Sequence, residues 1–389
     1  MQTVLVILAF LTLAAWAVRS GFMLYGIRKT KFLRNTACPA GFHYPPLSVI
    51  IPAKDEANTI EAALLSKLQS DYPSLEVIAI DDRSSDQTFA AISRVAENDP
   101  RVKPLRITTL PPGWLGKVNA LDKGVKSASG QWLLFSDADV HFSPDALKKA
   151  VCFAQTNGLD HLAVMPQLWS NGFFMDMVFA PFLDTALRWS CWNSQDSRGD
   201  AAVGVGAFNL VRRAAFEKTP GFEWLRLEVI DDMGLGLMMR KSGFKGAALN
   251  GEGCVGLHFL ENFGEAVKSC DKGVFAGAGF NPLVIFAAAF AGVFFDLLPF
   301  ALLFAGGTAA KIAAAACGTA VLKSALIARW NKLPVFPALF VPIGGVIGVY
   351  LLLHGAASAL ASGGITWRGT FYPTKDLKAA KRFLLKNFY

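Results

Sequence analysis

Three motifs are missing from this chain, and each absence closes a class of function. No GxGxxG follows the first strand-like run, which argues against a dinucleotide oxidoreductase, and no GxxxxGK[ST] occurs, which argues against a P-loop nucleotidase. No CxxC or paired spacing links the six cysteines (Cys38, Cys152, Cys191, Cys254, Cys270, Cys317), so neither a zinc site nor a disulfide framework is expected. Charge is scarce as well. Only 17% of the residues are charged against 53% hydrophobic, too apolar for a purely soluble globule. The net charge of +8 would suit nucleic acid, yet the polar middle carries no basic stripe with interleaved aromatics. The expected partner is therefore a membrane with anionic headgroups, and no nucleic acid.

What the chain does have is apolar length. MQTVLVILAFLTLAAWAV (1–18) carries no charged side chain and is followed by Arg19, Arg28, Lys29, Lys31 and Arg34. With the apolar positions beyond Arg19 it is just long enough to span a bilayer. A cleaved signal peptide would show a basic n-region and a clear small-x-small site before polar sequence. Neither is found, so residues 1–26 are expected to be an uncleaved anchor. The basic residues behind it place the next segment in the cytoplasm, on the inner or plasma membrane of a multi-pass protein.

Between 282 and 364 three further apolar stretches follow. Residues 282–307 contain Asp296, 308–330 are Ala-rich and interrupted by Lys311 and Lys323, and 334–364 contain Pro342 and Gly344-Gly345. The outer two read as spans and the middle one is ambiguous, so the side of the C-terminus stays open. In the remaining tail, 365–389, Leu377, Ala380, Leu384 and Phe388 recur opposite Lys378, Lys381 and Arg382. That pattern suits a helix on an anionic membrane surface or a packed terminal helix, with the tail cytoplasmic or interfacial.

Residues 47–280 are the polar part. LSVIIPA (47–53), LEVIAIDD (75–82) and QWLLFSDADV (131–140) are short apolar runs ending in turn chemistry, as buried parallel strands do. Helical spacing fills the gaps: 58–70 with Asn58 as N-cap, 84–98 with Ser85 or Asp86, and 143–155 opened by Ser143 and Pro144. Alternating strands and helices predict an α/β domain with a mostly parallel, Rossmann-like sheet covered on both faces.

In such a sheet ligands bind beyond the carboxyl ends of the strands. Three acidic motifs sit there: PAKDEAN (52–58), DDRSSDQT (81–88) and SDADV (136–140). Asp-x-Asp alone is a common turn feature. Here Asp137 and Asp139 can present oxygens to one hard divalent cation, which also takes phosphate oxygens of a substrate. Asp81 and Asp82 can accept hydrogen bonds from a nucleoside. PPGWLGKVNALDKG (111–124) adds Lys117 in a Gly-bearing turn before a helix, a place that favours a diphosphate. LEVIDDMGLGLMMRKSG (227–243) puts Asp231 and Asp232 at a helix mouth, where a carboxylate can act as general base.

Taken in order, VIIPAKDEANTI, VIAIDDRSSDQT, GKVNALDKG, LLFSDADV, GVGAFNLVRRAAF and VIDDMGLGLMMRKSG resemble membrane-bound family 2 glycosyltransferases. PPGWLGK together with ITWRGTFYP (365–373) looks most like the subgroup associated with hopanoid and carotenoid biosynthesis. The resemblance covers roughly 47–280 and the late motif. It implies a GT-A fold and a nucleotide-sugar donor, usually a UDP-sugar. By the same resemblance Ala53, Asp55, Glu56, Asp81 and Asp82 would hold the nucleoside, and Lys117 would lie near the diphosphate. Asp137 and Asp139 would hold Mg²⁺ or Mn²⁺, and Asp232 would be the catalytic base of an inverting displacement. Gly204, Gly206 and Phe208 would shape the pocket, and Trp367 and Arg368 would complete donor binding.

The sequence departs from the family pattern at Asp122, at Pro220-Gly221 and at Thr370, which stands where an Arg is usual. Arg188-Trp189 resembles part of the QxxRW motif of polysaccharide synthases but precedes the base, so it reads as coincidence. His258 is kept out of the metal set, and the aromatic run at 169–182 reads as core packing rather than a membrane interface. The expected reaction is transfer of one sugar to a hydroxyl of a membrane lipid acceptor of isoprenoid, hopanoid or sphingolipid type. The rivals are a processive polysaccharide synthase and a non-catalytic sugar-nucleotide or lipid-binding scaffold.

Overall fold

The computed structural model describes residues 2–179 and 202–384, which fall into two compact units. One contains residues 30–167, 202–257 and 376–384; the other contains 2–29, 168–179 and 258–375. Arg188-Trp189 lies outside the described residues, as does Phe388.

The first unit is built on a seven-stranded sheet. Its strands are β1 (Leu47–Ala53), β2 (Leu75–Asp82), β3 (Val102–Ile107), β4 (Trp132–Phe135), β5 (His161–Met165), β6 (Asn209–Arg212) and β7 (Gly246–Asn250), in the order β3-β2-β1-β4-β6-β5-β7. All neighbours pair in parallel except β6, which is antiparallel to both β4 and β5. The mostly parallel sheet is thus the one the sequence predicts. Val49, Ile50 and Ile51 of β1 and Val77, Ile78 and Ile80 of β2 are all buried, because helices cover both faces. Each such side chain contributes about 1.5–3 kcal/mol by leaving water.

Helices α1 (Ile60–Leu68), α2 (Thr88–Asn98), α3 (Gly116–Ser127), α4 (Ala146–Thr156) and α5 (Asp231–Lys241) link or flank these strands. The expected caps shift by one or two residues. Thr59 rather than Asn58 precedes α1, Gln87 precedes α2, and Asp145 rather than Ser143 precedes α4. Asp86 still serves α2, since its carboxylate accepts from Thr88 N at 2.9 Å and reaches Ala57 N at 3.1 Å. That second bond ties the β1 and β2 ends together, which a purely local cap would not do.

Two expectations about this unit are corrected. Cys38 and Cys152 form a disulfide, with Cα atoms 6.0 Å apart, where no disulfide was expected. The pair is 114 residues apart in sequence, so no local spacing announces it. The tail does not continue as an amphipathic helix either. Its helix ends at Ala380, Lys381 is buried against Glu228, and Phe383 is 1% exposed.

Among its described residues the second unit holds four helices long and apolar enough to cross a membrane: Gln2–Lys29, Pro282–Ala305, Gly307–Trp330 and Val341–Ser362. The Ala-rich stretch is therefore a helix of spanning length, despite its lysines. Pro282–Ala305 contains a π-helical turn at Gly292–Leu297. Such a turn disturbs the backbone hydrogen-bond ladder, and Trp16 Nε1 donates to the Phe295 carbonyl at 2.9 Å while Arg19 pairs with Asp296. His258 is placed structurally here, its Nδ1 donating to Asn171 Oδ1 (2.7 Å) with the Trp169 ring edge-on to it. From the aromatic run, Met175, Met177 and Phe179 are buried whereas Phe173 and Phe174 are exposed. Helix Phe263–Gly277 also belongs to this unit, so the polar stretch 47–280 runs past the α/β sheet.

Candidate active site

The site grows from the carboxyl ends of β1, β2 and β4. Register pairs Ala53 at the end of β1 with Asp81 near the end of β2. Both strands leave the sheet through a residue with positive φ, Asp55 (55°) and Arg83 (57°). Non-glycine residues held there cost energy and cluster at functional sites. The strain is stabilised by a small network. Asp55 Oδ1 accepts from Ser85 N at 2.8 Å, Asp55 N donates to Ser84 Oγ at 3.0 Å, and Glu56 N donates to Thr88 Oγ1 at 2.8 Å.

Asp81 and Asp82 are both buried. Asp82 is gripped by both sides of the Arg83 guanidinium, at 2.8 and 2.9 Å. Asp81 Oδ2 has no hydrogen-bond donor, and Arg106 Nε stands 3.4 Å away. A buried carboxylate oxygen left without a donor is expensive, so it is suited to an external one.

Beyond β4 the chain turns at Ser136-Asp137-Ala138-Asp139. Asp139 is pushed up to about 6 by burial and by the facing carboxylates of Asp137 and Glu56. Beneath this turn lies Lys67, fully buried on α1, donating to the Val140 carbonyl over the Phe142 ring. Burial lowers its ammonium to about 7, against the pull of Asp139 and Asp137. Among the described residues no three His, Cys, Asp or Glu side chains converge to enclose a metal. Asp137 and Asp139, on one short turn, could hold a divalent cation only with water and ligand oxygens completing its shell.

Lys117 opens α3 and faces this turn. Its Nζ is 2.7 Å from Asp137 Oδ1 and 3.6 Å from Asp231 Oδ2. Burial alone would lower its pKa; the charges of Asp137, Asp231 and Asp232 override that and raise it, so it stays an ammonium. Gly116 is required beside it, because a Cβ would fall 2.3 Å from Asp82 Oδ2.

Asp232 begins α5 and is held at both oxygens: Met233 N donates to Oδ1 at 2.8 Å and Gly206 N to Oδ2 at 3.0 Å. Burial raises its pKa, opposed by Lys117 and these amides. Gly206 joins the two halves of the site, since its carbonyl also accepts from Asp137 N at 3.0 Å. Gly204 has no room for a side chain, because a Cβ would lie 1.8 Å from the Asp232 carbonyl. Lys117, Asp137, Gly206, Asp231 and Asp232 line one small cleft with Pro52, Asn209 and Phe222.

Sequence reasoning missed several supporting residues. Asn209 Nδ2 donates to the Asp232 carbonyl at 3.2 Å, and Asn209 Oδ1 lies 2.5 Å from His161 Nε2. Burial lowers the His161 pKa, so the ring stays neutral with its proton toward Asn209. Lys67 was likewise missed. Asn209 lies within GVGAFNLVRRAAF without a role being read for it, whereas Lys67 and His161 have no local motif and tertiary folding alone delivers them. Trp367 and Arg368 belong to the other unit, on the hairpin Gly364–Trp367 and Thr370–Pro373. Arg368 (φ 49°) and Gly369 (φ 78°) make its two-residue turn, and Lys272 Nζ stands 4.4 Å over the Trp367 ring.

Lys117, Asp137, Asp231 and Asp232 thus meet at the carboxyl edge of a mostly parallel sheet. Residues 48–219 match the family described as Glycosyl transferase family 2. This chain carries a family 2 glycosyltransferase domain. An uncharacterized glycosyltransferase of Haemophilus influenzae is 32% identical over 115 residues, 30% of this chain and 44% of the relative. A GalNAc(5)-diNAcBac-PP-undecaprenol beta-1,3-glucosyltransferase of Campylobacter jejuni is 33% identical over 103 residues, 26% of this chain and 32% of the relative. A poly-beta-1,6-N-acetyl-D-glucosamine synthase of Staphylococcus epidermidis is 34% identical over 101 residues, 26% of this chain and 23% of the relative. The chain thus spans less than half the length of these curated relatives. Among solved structures, a Pyrobaculum calidifontis mannosyltransferase in complex with GDP-Man and Mn²⁺ superposes with a TM-score of 0.56 at 20% identity. It covers 92% of this chain and 98% of its own, and the likeness establishes the GT-A fold of the family 2 domain.

Proposed function

We propose that the protein transfers a sugar, with inversion, from a nucleoside diphosphate sugar, most simply a UDP-sugar, to a hydroxyl of a membrane lipid. The observation that carries this reading is the meeting of Lys117, Asp137, Asp231 and Asp232 in one cavity at the carboxyl edge of the sheet. Lys117 is an ammonium positioned for a diphosphate. Asp55, Glu56, Asp81 and Asp82, with Ala53 at the β1 end, form the nucleoside side, where the donorless Asp81 Oδ2 awaits a ligand N–H or O–H. Asp137 and Asp139 would hold Mg²⁺ or Mn²⁺, which when bound neutralises charge on the departing nucleoside diphosphate. Asp232 takes the proton of the incoming hydroxyl, its raised pKa making it a better base than an ordinary carboxylate. Trp367 and Arg368 are assigned to donor binding on the motif resemblance alone.

The apolar helices support an acceptor drawn from the bilayer, of the isoprenoid, hopanoid or sphingolipid type, with the α/β unit on the cytoplasmic face and the subgroup that of hopanoid and carotenoid biosynthesis. The printed activity of the Campylobacter relative, on a polyprenol-linked saccharide, is compatible with that acceptor class. The packing of 376–384 in the same unit as 30–167 supports a reading in which an even number of bilayer crossings separates 257 from 376. Two of the three intervening apolar helices then span. The Staphylococcus relative favours a second reading, a processive polysaccharide synthase.

The test is release of nucleoside diphosphate from a panel of sugar nucleotides by protein in detergent or nanodiscs, with Mn²⁺ or EDTA, beside Asp232→Asn. Turnover of one donor, lost with EDTA and in the variant, is expected; one-sugar products distinguish lipid transfer from polymer synthesis. Absence of both turnover and calorimetric binding of UDP with metal would sink the transferase reading. Binding without turnover in the presence of candidate lipids would leave the scaffold.

A further inference from the structure

Glu228 is fully buried, lies three residues before Asp231, and has no part in the mechanism above. Its oxygens are met from the far end of the chain. Oε1 accepts from Lys381 Nζ at 2.7 Å and from Ile230 N at 3.2 Å. Oε2 accepts from the backbone amides of Arg382 at 2.6 Å and Phe383 at 3.0 Å. The Lys381 side chain is 4% exposed, so the pair is sealed from water. Arg382 adds a bond from Nε to the Trp224 carbonyl at 3.2 Å and covers the Trp224 ring at 5.3 Å.

A sealed ion pair is a poor way to gain stability, since apolar side chains of similar size would do as well. What such a pair can do is specify one arrangement. Here the arrangement is that of the segment entering α5. Within it Glu228 N donates to the Leu225 carbonyl at 2.7 Å, and the Arg226 carbonyl accepts from Leu115 N, at the Lys117 turn, also at 2.7 Å. Gly234 of α5 packs on Glu228 so closely that a Cβ would stand 3.1 Å from Glu228 Cγ. One buried carboxylate thus touches the tail and the base helix, within a segment that also holds the lysine turn.

We infer that residues 381–383 form a strap that completes the active site, with Lys381 a positioning residue that acts through Glu228 on Asp231 and Asp232. The inference rests on the reading of Asp232 as the base. Without the strap Glu228 is left buried with no countercharge. Segment 226–230 then has to move to let water reach it, and the start of α5 moves with it. The acidic turn is held from elsewhere, by Gly206 and Lys67, so donor affinity should outlast turnover.

The experiment uses the full chain in nanodiscs and compares Lys381→Met, Lys381→Arg and the double variant Lys381→Met with Glu228→Gln. Lys381→Met should lower kcat about tenfold or more, the scale of a small misplacement of a reacting group, while KM for the donor changes by less than about threefold. Amide hydrogen exchange at 226–234 should quicken in the same variant while the β1–β4 amides stay protected. Lys381→Arg should recover most of the loss, and the double variant should recover part of it, because a neutral amide needs no countercharge. Wild-type kcat and exchange in Lys381→Met would overturn the strap, as would Lys381→Arg failing as badly as Met. If the wild-type protein turns over no donor, the functional reading fails, and the exchange comparison by itself decides the strap.

Discussion

Two ends of the same sheet treat buried carboxylates in opposite ways. At the amino end, Glu76 of β2 accepts from Ser48 Oγ, Ser129 Oγ and N, and Lys103 Nζ. Burial pushes its pKa up, but these donors win and hold it at about 2. At the carboxyl end Asp139 is pushed up to about 6 and Asp232 is also raised, because burial and like charges outweigh their partners. Around Glu76 the donors outweigh burial, whereas around Asp139 and Asp232 burial and like charge outweigh the donors present. A perturbed pair in a cleft is a functional signal of this kind.

The sharpest way to break that contrast is Asp232→Asn. Turnover should fall by about 10²–10⁴-fold, the usual worth of a general base. The thermal midpoint should hold or rise, since an acid whose folded pKa is raised costs stability at neutral pH and the amide removes that cost. A large drop in midpoint would make Asp232 a structural residue instead.

Asn209→Ala tests whether support behind the base matters as much as the base's own amides. Loss of its bond to the Asp232 carbonyl should reduce kcat about tenfold with donor KM little changed, the scale of losing a supporting partner. His161→Phe should give a smaller decrease in the same direction, read in the same assay, because His161 reaches Asp232 only through Asn209.

The smallest effect on turnover should come from the amino end. Glu76→Gln should leave kcat within about twofold but lower stability by about 1–3 kcal/mol at pH 7. Its folded pKa is depressed from 4.5 to about 2, so its stabilisation is complete above 4.5 and is lost as pH falls toward 2. Melts stepped from pH 6 to 2 should therefore flatten in the variant; an unchanged acid profile would show that Glu76 is not a stabilising group.

Much of the carboxyl-end chemistry was legible in the chain. Strand ends are marked locally, by β-branched runs such as VII at 49–51 giving way to acidic turns, and β1 and β2 fall where those runs predict. Asp137, Asp139 and Asp232 are named by their motifs for the same reason. Lys67 was not legible, since a Lys within a helical pattern reads as a solvated face until α1 is packed against the acidic turn. Nor were Asn209 and His161, which only the antiparallel insertion of β6 between β4 and β5 brings behind Asp232. The tail shows the limit most clearly. Lys381 and Arg382 spaced opposite apolar residues read equally as a membrane-surface helix or a packed terminal helix, whereas Glu228 takes the Lys381 ammonium and the Arg382 backbone amide of a chain that has left the helix.

By itself the sequence determined the local patterns: short, continuously apolar strands ending in acidic turns, and apolar helices of spanning length. Those follow from side-chain size, polarity and backbone freedom over a few residues. Tertiary structure decided the pairings across long separations: Cys38 with Cys152, Lys67 under Asp139, and Lys381 with Glu228. The physical reason is that burial sets the electrostatics. A carboxylate or an ammonium has the same chemistry anywhere in the chain, and only the fold decides which charge is kept from water and which partner meets it.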